Sequence, residues 1–223
     1  MRLLHSEGIH TLTVLSNVEY EIWCMRNEYP DLKYILADVR DFKSGVFYDV
    51  IFNAAAIKHI DFCEDFPGEA THTNVIGLIN TMCIPHKKFV HISSDKCVNA
   101  SSVLGATKLI GERIALNHGA TVIRMGNVLN SRGSFLELKK TPFPLTDKRM
   151  KRYFIEAEKA AKFIFEMGME GENRIYIPKM EEKDIKDLVG EYEIVGRRKG
   201  EKLYEDLVGR YEDYSDGGDH WII

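Results

Sequence analysis

Four things are missing from this sequence, and each closes off a class of answer. Paired cysteine spacing is the first: Cys24, Cys63, Cys83 and Cys97 form no C-x-x-C and have no matching histidine spacing. That argues against structural zinc, predicts no bound metal and leaves no disulfide framework. Unpaired cysteines fit a reducing, cytoplasmic location. A long apolar run is the second: nothing approaches a membrane span, and the N-terminus carries no signal-peptide core. An excess of one charge is the third. The 30 Lys and Arg stand against 34 Asp and Glu, mixed along the chain, for a net charge of -4. This predicts no nucleic-acid partner and no electrostatic pull toward a membrane. The short basic run KRMKR reads as a solvated helix start. Repeats and low-complexity segments are also lacking.

The fourth absence shows only against what is present. Of 223 residues, 44% are hydrophobic, enough for one sizeable core or a core with a small lobe. Apolar runs rich in β-branched residues read as buried strands: HTLTVLS (10–16), KYILADV (33–39), DVIFNAA (49–55), KFVHISS (88–94) and TVIRMGNV (121–128). Helix-period patterns over 18–28, 68–84 and 103–117 fall between them. Strands alternating with helices predict a parallel sheet covered on both faces. After residue 130 the pattern changes. IEAEKAAKFIFEMGM is an amphipathic helix, NRIYIP and YEIVG are short strands, and GEKLYEDLV starts another helix. Residues 1–130 thus read as a nucleotide-cofactor-binding domain and 131–223 as a small substrate-binding lobe over the strand ends, where open α/β sheets bind ligands.

What such a fold needs first is a strand, a Gly-rich turn and a helix. Here MRLLHSEG reads as the end of a helix with Gly8 as its cap, and the chain passes straight into HTLTVLS. The usual first strand lies between the second and the fourth. Without it, inner strands keep unpaired backbone groups at about 1–3 kcal/mol each, against a total stability of about 5–15 kcal/mol. The expectation is therefore an α/β fold, a Rossmann-like doubly wound parallel sheet lacking its usual first strand, in a chain short of its natural N-terminus.

Several strand ends carry residues able to do chemistry. In ADVRD, Asp38 can accept from an adenine amine or cap a helix. In NAAAIKHI, small alanines allow close ligand approach or close helix packing, and Lys58 and His59 are placed to meet a phosphate or sugar. In HISSDK, Ser94 can donate to a sugar oxygen, Asp95 can act as acid and Lys96 as base, although an exposed ion pair or a cap gives the same letters. Lys108 follows twelve residues after Lys96, and the position four before it, often tyrosine in nicotinamide enzymes of this shape, is Leu104. RMGNVLNSRGS (124–134) and RRKGEKLYE (197–205) set Arg beside Gly, Asn or Ser, a combination that suits a pyrophosphate.

In order, DVRD, NAAAIKHI, TNVIG, SSDKCVN, LGATK, RMGNVLNSRGS, LTDKRMKRYF and GRRKGEKLYE resemble the CapD-type polysaccharide biosynthesis proteins. These are extended short-chain dehydrogenase/reductases acting on UDP-N-acetylglucosamine as 4,6-dehydratases, some inverting C5. The matching pieces span residues 38 to 205. The resemblance implies Ser94, Asp95, Lys96 and Lys108 as catalytic, with Lys108 on the nicotinamide ribose. It implies Asp38, Val39, Asn53, Ala54, Ala55, Lys58 and Asn74 at the cofactor. Lys58, Asn127, Arg132, Arg152, Arg198 and Glu201 would hold the substrate. Some members carry Met before GATK, so Leu104 is a conservative step and a tyrosine was not needed. The implied sequence of events is C4 oxidation, C5 deprotonation by Lys96, loss of the C6 hydroxyl with a proton from Asp95, and hydride return. A lysine at its ordinary ~10.4 is a poor base, so this role requires a desolvated Lys96.

The cofactor implied is NADP ahead of NAD. SNVEYE lacks the arginine many relatives place for the 2′-phosphate, but Ser16 and Asn17 can bond either form. The partner implied is a UDP-N-acetylhexosamine, and the assembly a homo-oligomer. The competing readings are a UDP-N-acetylglucosamine 4-epimerase, which would normally keep the tyrosine, and a truncated, non-catalytic UDP-sugar binder, suggested by the absent Gly-rich loop.

Overall fold

A computed structural model describes residues 11–131, 134 and 140–223. The expected helix end at MRLLHSEG lies outside the described residues. The strands are β1 (Thr13–Ser16), β2 (Lys33–Leu36), β3 (Tyr48–Asn53), β4 (His86–Ser94), β5 (Thr121–Met125), β6 (Asn127–Leu129), β7 (Phe143–Leu145), β8 (Lys151–Glu156), β9 (Ile175–Pro178), β10 (Glu181–Asp184), β11 (Tyr192–Ile194), β12 (Ser215–Asp216) and β13 (His220–Ile222). The helices are α1 (Glu19–Glu28), α2 (Ile60–Asp65), α3 (Pro67–Thr71), α4 (Gly77–Met82), α5 (Val103–Asn117) and α6 (Ala157–Glu170).

The main sheet runs β12-β13-β9-β5-β4-β3. Its strands β3, β4, β5 and β9 are parallel, and β13 and β12 close one edge antiparallel. Every residue of β5 is buried, as its β-branched run requires. Successive side chains point to opposite faces, so the two faces carry separate cores. On one, Phe89, Val122, Ile175 and Ile177 pack with Leu78 of α4 and Ala115 of α5. On the other, Val90, Ile123 and Tyr176 pack with Ala160 and Phe163 of α6. This is the doubly wound α/β arrangement expected. Helix α5 begins at a Ser102 cap, whose hydroxyl accepts from the Gly105 amide, and stops where Gly119 turns to φ +79.

β1 and β2 form a separate parallel pair, Thr13 opposite Lys33 through Ser16 opposite Leu36. Among the described residues no strand joins β1 to β3.

The later residues depart from expectation in four places. NRIYIP becomes β9 of the main sheet, so residues 131–223 are not confined to a lobe. β7, β11 and the β10-β8-β6 sheet form the smaller layer, around Phe143, Leu145, Met150 and Ile185. KRMKR is not a helix start: Arg149 folds back on Asp147 and the run enters β8. GEKLYEDLV forms no helix, because its carbonyls at Lys202, Leu203 and Leu207 are engaged by arginines rather than by later amides. TVIRMGNV splits at Gly126, where a β-carbon would stand 2.7 Å from the Tyr153 carbonyl oxygen of β8. The closing YEDYSDGGDHWII supplies β12 and β13, with Trp221 packed on the core.

Candidate functional site

The site forms where β4 ends. Ser94 leaves the strand in extended conformation and caps a short 3-10 turn, Asp95–Cys97. The Asp95 carboxyl is fully buried. Its Oδ1 accepts from the Ser94 hydroxyl at 2.9 Å and from the Lys96 ammonium at 2.9 Å. Its Oδ2 is buried with no hydrogen-bond partner among the described residues. A buried carboxyl oxygen left unpaired costs about 1–3 kcal/mol, so the turn holds an acceptor ready for a ligand. The Lys96 side chain is 14% exposed. The glycine of LGATK has a steric purpose: a β-carbon on Gly105 would collide with the Lys96 carbonyl. Only glycine lets α5 approach the turn this closely.

Lys108 lies on the same helix, buried, with its ammonium donating to the Ile92 carbonyl at 2.9 Å. Burial brings its pKa down to about 8. Leu104, where a tyrosine was conceivable, packs inward with Cys63 and Ala70 instead. Asn74 sits in a π-helical turn, His72–Ile76, interrupting the expected continuous helix; such turns favour functional positions. Its amide brackets Ile57, accepting from the Ile57 amide at 2.8 Å and donating to its carbonyl at 3.1 Å, and it also donates to Thr107. The loop holding Ala54, Ala55 and Lys58 is thereby tied to α5. Asn53 is buried at the end of β3, opposite His91 in register, and accepts from the Ala55 amide. Ala54 and Lys58 are exposed.

At the end of β2, Asp38 is engaged by Arg40 and by Asn17. The Arg40 hydrogen bond holds its pKa down at about 2. Val39 is buried against Gly77 of α4. Ser16 accepts from the Val18 amide, starting α1.

The substrate-side residues divide. Asn127 opens β6, two residues beyond Met125, which pairs with Ser94, so it lies near the turn; its amide donates to the Tyr153 carbonyl. Arg198, Glu201 and their neighbours Ser101, Lys199, Lys202 and Leu203 line an open cleft of about 650 Å³. Arg198 is 3.4 Å from Asp61 and its amide donates to Glu201. Arg152 is buried in β8 and holds the carbonyls of Lys151, Lys202 and Leu203; it shapes the cleft's wall. Arg132 lies outside the described residues. Arg124 does not suit a pyrophosphate as expected. Its fork is buried and filled by Glu112, Glu212 and the Leu207 carbonyl.

Sequence reasoning missed Lys202, which reaches the Val98 carbonyl beside the turn at 2.7 Å. It also missed His91, buried under Gly111, whose two ring nitrogens have no hydrogen-bond partner among the described residues. Burial, with the nearby Lys108 charge, lowers its pKa to about 3. The alternation of His91 and Ser93 along β4, continued by Asp95 just beyond it, was the available signal for one polar face.

No helix among the described residues is long and apolar enough to cross a membrane, and none of their acidic, His or Cys groups gathers as a metal site. The family model described as "Polysaccharide biosynthesis protein" matches residues 1–220. An uncharacterized membrane protein of Methanocaldococcus jannaschii is 36% identical over 232 residues, 85% of this chain and 68% of the relative. A UDP-N-acetylglucosamine 4,6-dehydratase (inverting) of Campylobacter jejuni is 36% identical over 205 residues, 77% of this chain and 61% of the relative. This chain therefore spans about two thirds or less of the length of these relatives. The X-ray structure of Pen from Bacillus thuringiensis superposes with a TM-score of 0.90 at 26% identity, over 100% of this chain and 82% of that one.

Proposed function

We propose a function from a fixed premise: the chain belongs to the polysaccharide biosynthesis protein family. The reading is dehydration of a UDP-N-acetylhexosamine across C5 and C6, with NADP or NAD as cofactor. The observation that carries it is the buried Ser94–Asp95–Lys96 turn, with one Asp95 oxygen left open.

The residues fit a nicotinamide. An ammonium has three donors; Ile92 engages one of Lys108's, leaving two for a ribose diol. Asn74 fixes the loop on which Ala54, Ala55 and Lys58 sit. Asp38, already neutralised by Arg40, would border the adenine rather than act as a bare charge. Bound nicotinamide supplies hydride acceptance and return. The turn supplies the proton steps. Along the 2.9 Å Lys96–Asp95 hydrogen bond, one proton shift converts the ion pair into a neutral amine beside a carboxylic acid. The mechanism needs that neutral pair when the sugar is bound. Lys96 then takes the C5 proton, made acidic by a C4 ketone, and Asp95 protonates the departing C6 oxygen. Ser94 orients Asp95 and donates to the sugar. Arg198 and the lysines of the cleft face the diphosphate.

The test is mass-spectrometric detection of a 4-keto-6-deoxy product after incubation with UDP-N-acetylglucosamine and nicotinamide cofactor. Lys96→Ala and Asp95→Asn are expected to slow water loss by about 10²–10⁴-fold. A Lys96→Ala protein working at the parent rate sinks the mechanism. Conversion to the C4 epimer without loss of water would establish the epimerase reading instead.

A further inference from the structure

We propose that Glu212 is a positioning residue for the cationic segment 197–203, acting through Arg124. This rests on the proposed function, in which that segment faces the substrate diphosphate.

A guanidinium has five N–H donors, and Arg124 makes five hydrogen bonds. Nε and Nη2 fork onto Glu112 of α5 at 3.0 and 2.8 Å. Nη2 and Nη1 fork onto Glu212 at 2.8 and 2.7 Å, and Nη1 also reaches the Leu207 carbonyl at 2.9 Å. Nothing is left over for a ligand. The side chain is 1% exposed, and the two carboxylates hold its charge against the burial that opposes it. Glu112 in turn accepts from the Cys97 thiol, the last residue of the reactive turn, at 3.0 Å. One guanidinium therefore ties together β5, α5, the turn and the chain at 207–212.

That last attachment matters because residues 197–212 have no helix or strand to hold them. Their place is set by side-chain ties, by the Lys151 amide of β8 donating to the Leu203 carbonyl, and by Leu207 in the core. Arg152 grips the carbonyls of Lys202 and Leu203. Lys202 donates to the Val98 carbonyl, Asn99 to Asp206, and Ser101 to the Gly200 carbonyl. Glu212 adds the far anchor: it accepts from Arg124 and closes a local turn by accepting from the Gly209 amide at 2.7 Å. Releasing it loosens the 207–212 end of the segment, while buried Arg152 and the Lys151 amide still hold Lys202 and Leu203. Arg197, Arg198 and Lys199 are exposed, so their charges reach a bound diphosphate only if the backbone beneath is fixed. Pre-organising such a loop raises affinity by lowering the ordering cost of binding.

The experiment uses Glu212→Gln, with Glu212→Asp as the milder change and Arg113→Gln as control, since exposed Arg113 touches Glu212 only at 3.6 Å. Arg124 stays paired with Glu112 in all three. UDP affinity is read by calorimetry, reduced-nicotinamide affinity by fluorescence, and local opening by hydrogen exchange. Glu212→Gln is expected to weaken UDP about tenfold, an effect typical of a lost charge-assisted fork, and to speed exchange over 197–207. Nicotinamide affinity and exchange in β4 and β5 stay at parent values, which also reports that the variant is folded. Glu212→Asp falls between, and Arg113→Gln matches the parent. Unchanged exchange over 197–207 overturns the proposal, as does faster exchange with undiminished UDP affinity. A parent that binds no UDP removes the function reading alone, while the exchange pattern still decides whether Glu212 positions the segment.

Discussion

Two groups of parallel strands, β1–β2 and β3–β4–β5, differ sharply in how they are held. In the β3–β4–β5 group, β5 is buried along its whole length and α5 buries seven residues, Leu104 and Lys108 among them. In the β1–β2 group, neither strand has a buried residue, and α1 has none either. Tyr20 and Trp23 stack on each other at the surface of α1 with more than half of each exposed. On the proposed function, the proton steps fall on the well-packed group and the adenine on the loosely packed one. Precise geometry is needed where bonds break; a base can be met by a more mobile surface.

The largest expected effect tests packing directly. Ile123→Ala in β5 removes a side chain with no exposed area and is expected to cost about 3–4 kcal/mol. Leu15→Ala in β1, half-buried, is expected to cost about 1 kcal/mol. Urea unfolding of both variants decides it, and equal losses would break the comparison. Hydrogen exchange comes next: amides of β1 and β2 are expected to exchange at least about 100-fold faster than those of β4 and β5, through a local opening.

Lys108 gives an effect of about 2 kcal/mol that depends on pH. Its folded pKa is about 8 against 10.5 for the free group. Below pH 8 both states hold the proton and the burial penalty is complete. Between the two values the unfolded chain binds a proton that the folded chain does not, so stability rises with pH. Lys108→Met removes a penalty of about 3 kcal/mol and loses one hydrogen bond of about 1 kcal/mol. The variant is therefore expected to be more stable than the parent at pH 7, with the gain gone near pH 10. A pH-independent difference between the two unfolding curves would show that the ammonium is not desolvated. Cys63, whose thiol burial pushes up to about 11, is common to both proteins and cancels.

The same contrast explains what could be read from the sequence. Buried strands announce themselves as continuous β-branched runs, so β3, β4 and β5 were legible, as was the position of Ser94, Asp95 and Lys96 at a strand's end. β1 and β2 were legible too, as the apolar runs HTLTVLS and KYILADV, but not their pairing apart from the main sheet. Side-chain ties across long separations were not legible. Arg124 and Glu212 are 88 residues apart, and nothing local in RMGNV distinguishes a fork for carboxylates from one for phosphates. The extended course of GEKLYEDLV was hidden for the same reason: its spacing permits a helix, and two distant arginines take its carbonyls. Gly105 was quoted within LGATK, but its purpose depends on Lys96 standing behind it.

The smallest effect sharpens the comparison most. Helix α5 has a side-chain cap at Ser102, whereas α1 begins at Val18, in extended conformation and without one. A serine hydroxyl at Val18 is placed to accept an orphan amide of the first turn, worth about 0.5–1 kcal/mol. Val18 is 43% exposed, so little packing is lost. If the β1–β2 group opens on its own, Val18→Ser slows exchange in 19–28 and in β1 and β2 by about two- to fivefold and leaves β4 and β5 untouched. If protection instead rises equally in both groups, they open together, and the loose packing around β1 has no dynamic consequence. The outcome decides whether the adenine end can reorganise around a cofactor without disturbing the turn at Asp95, because a group that opens alone can be ordered by a ligand at little cost to the rest.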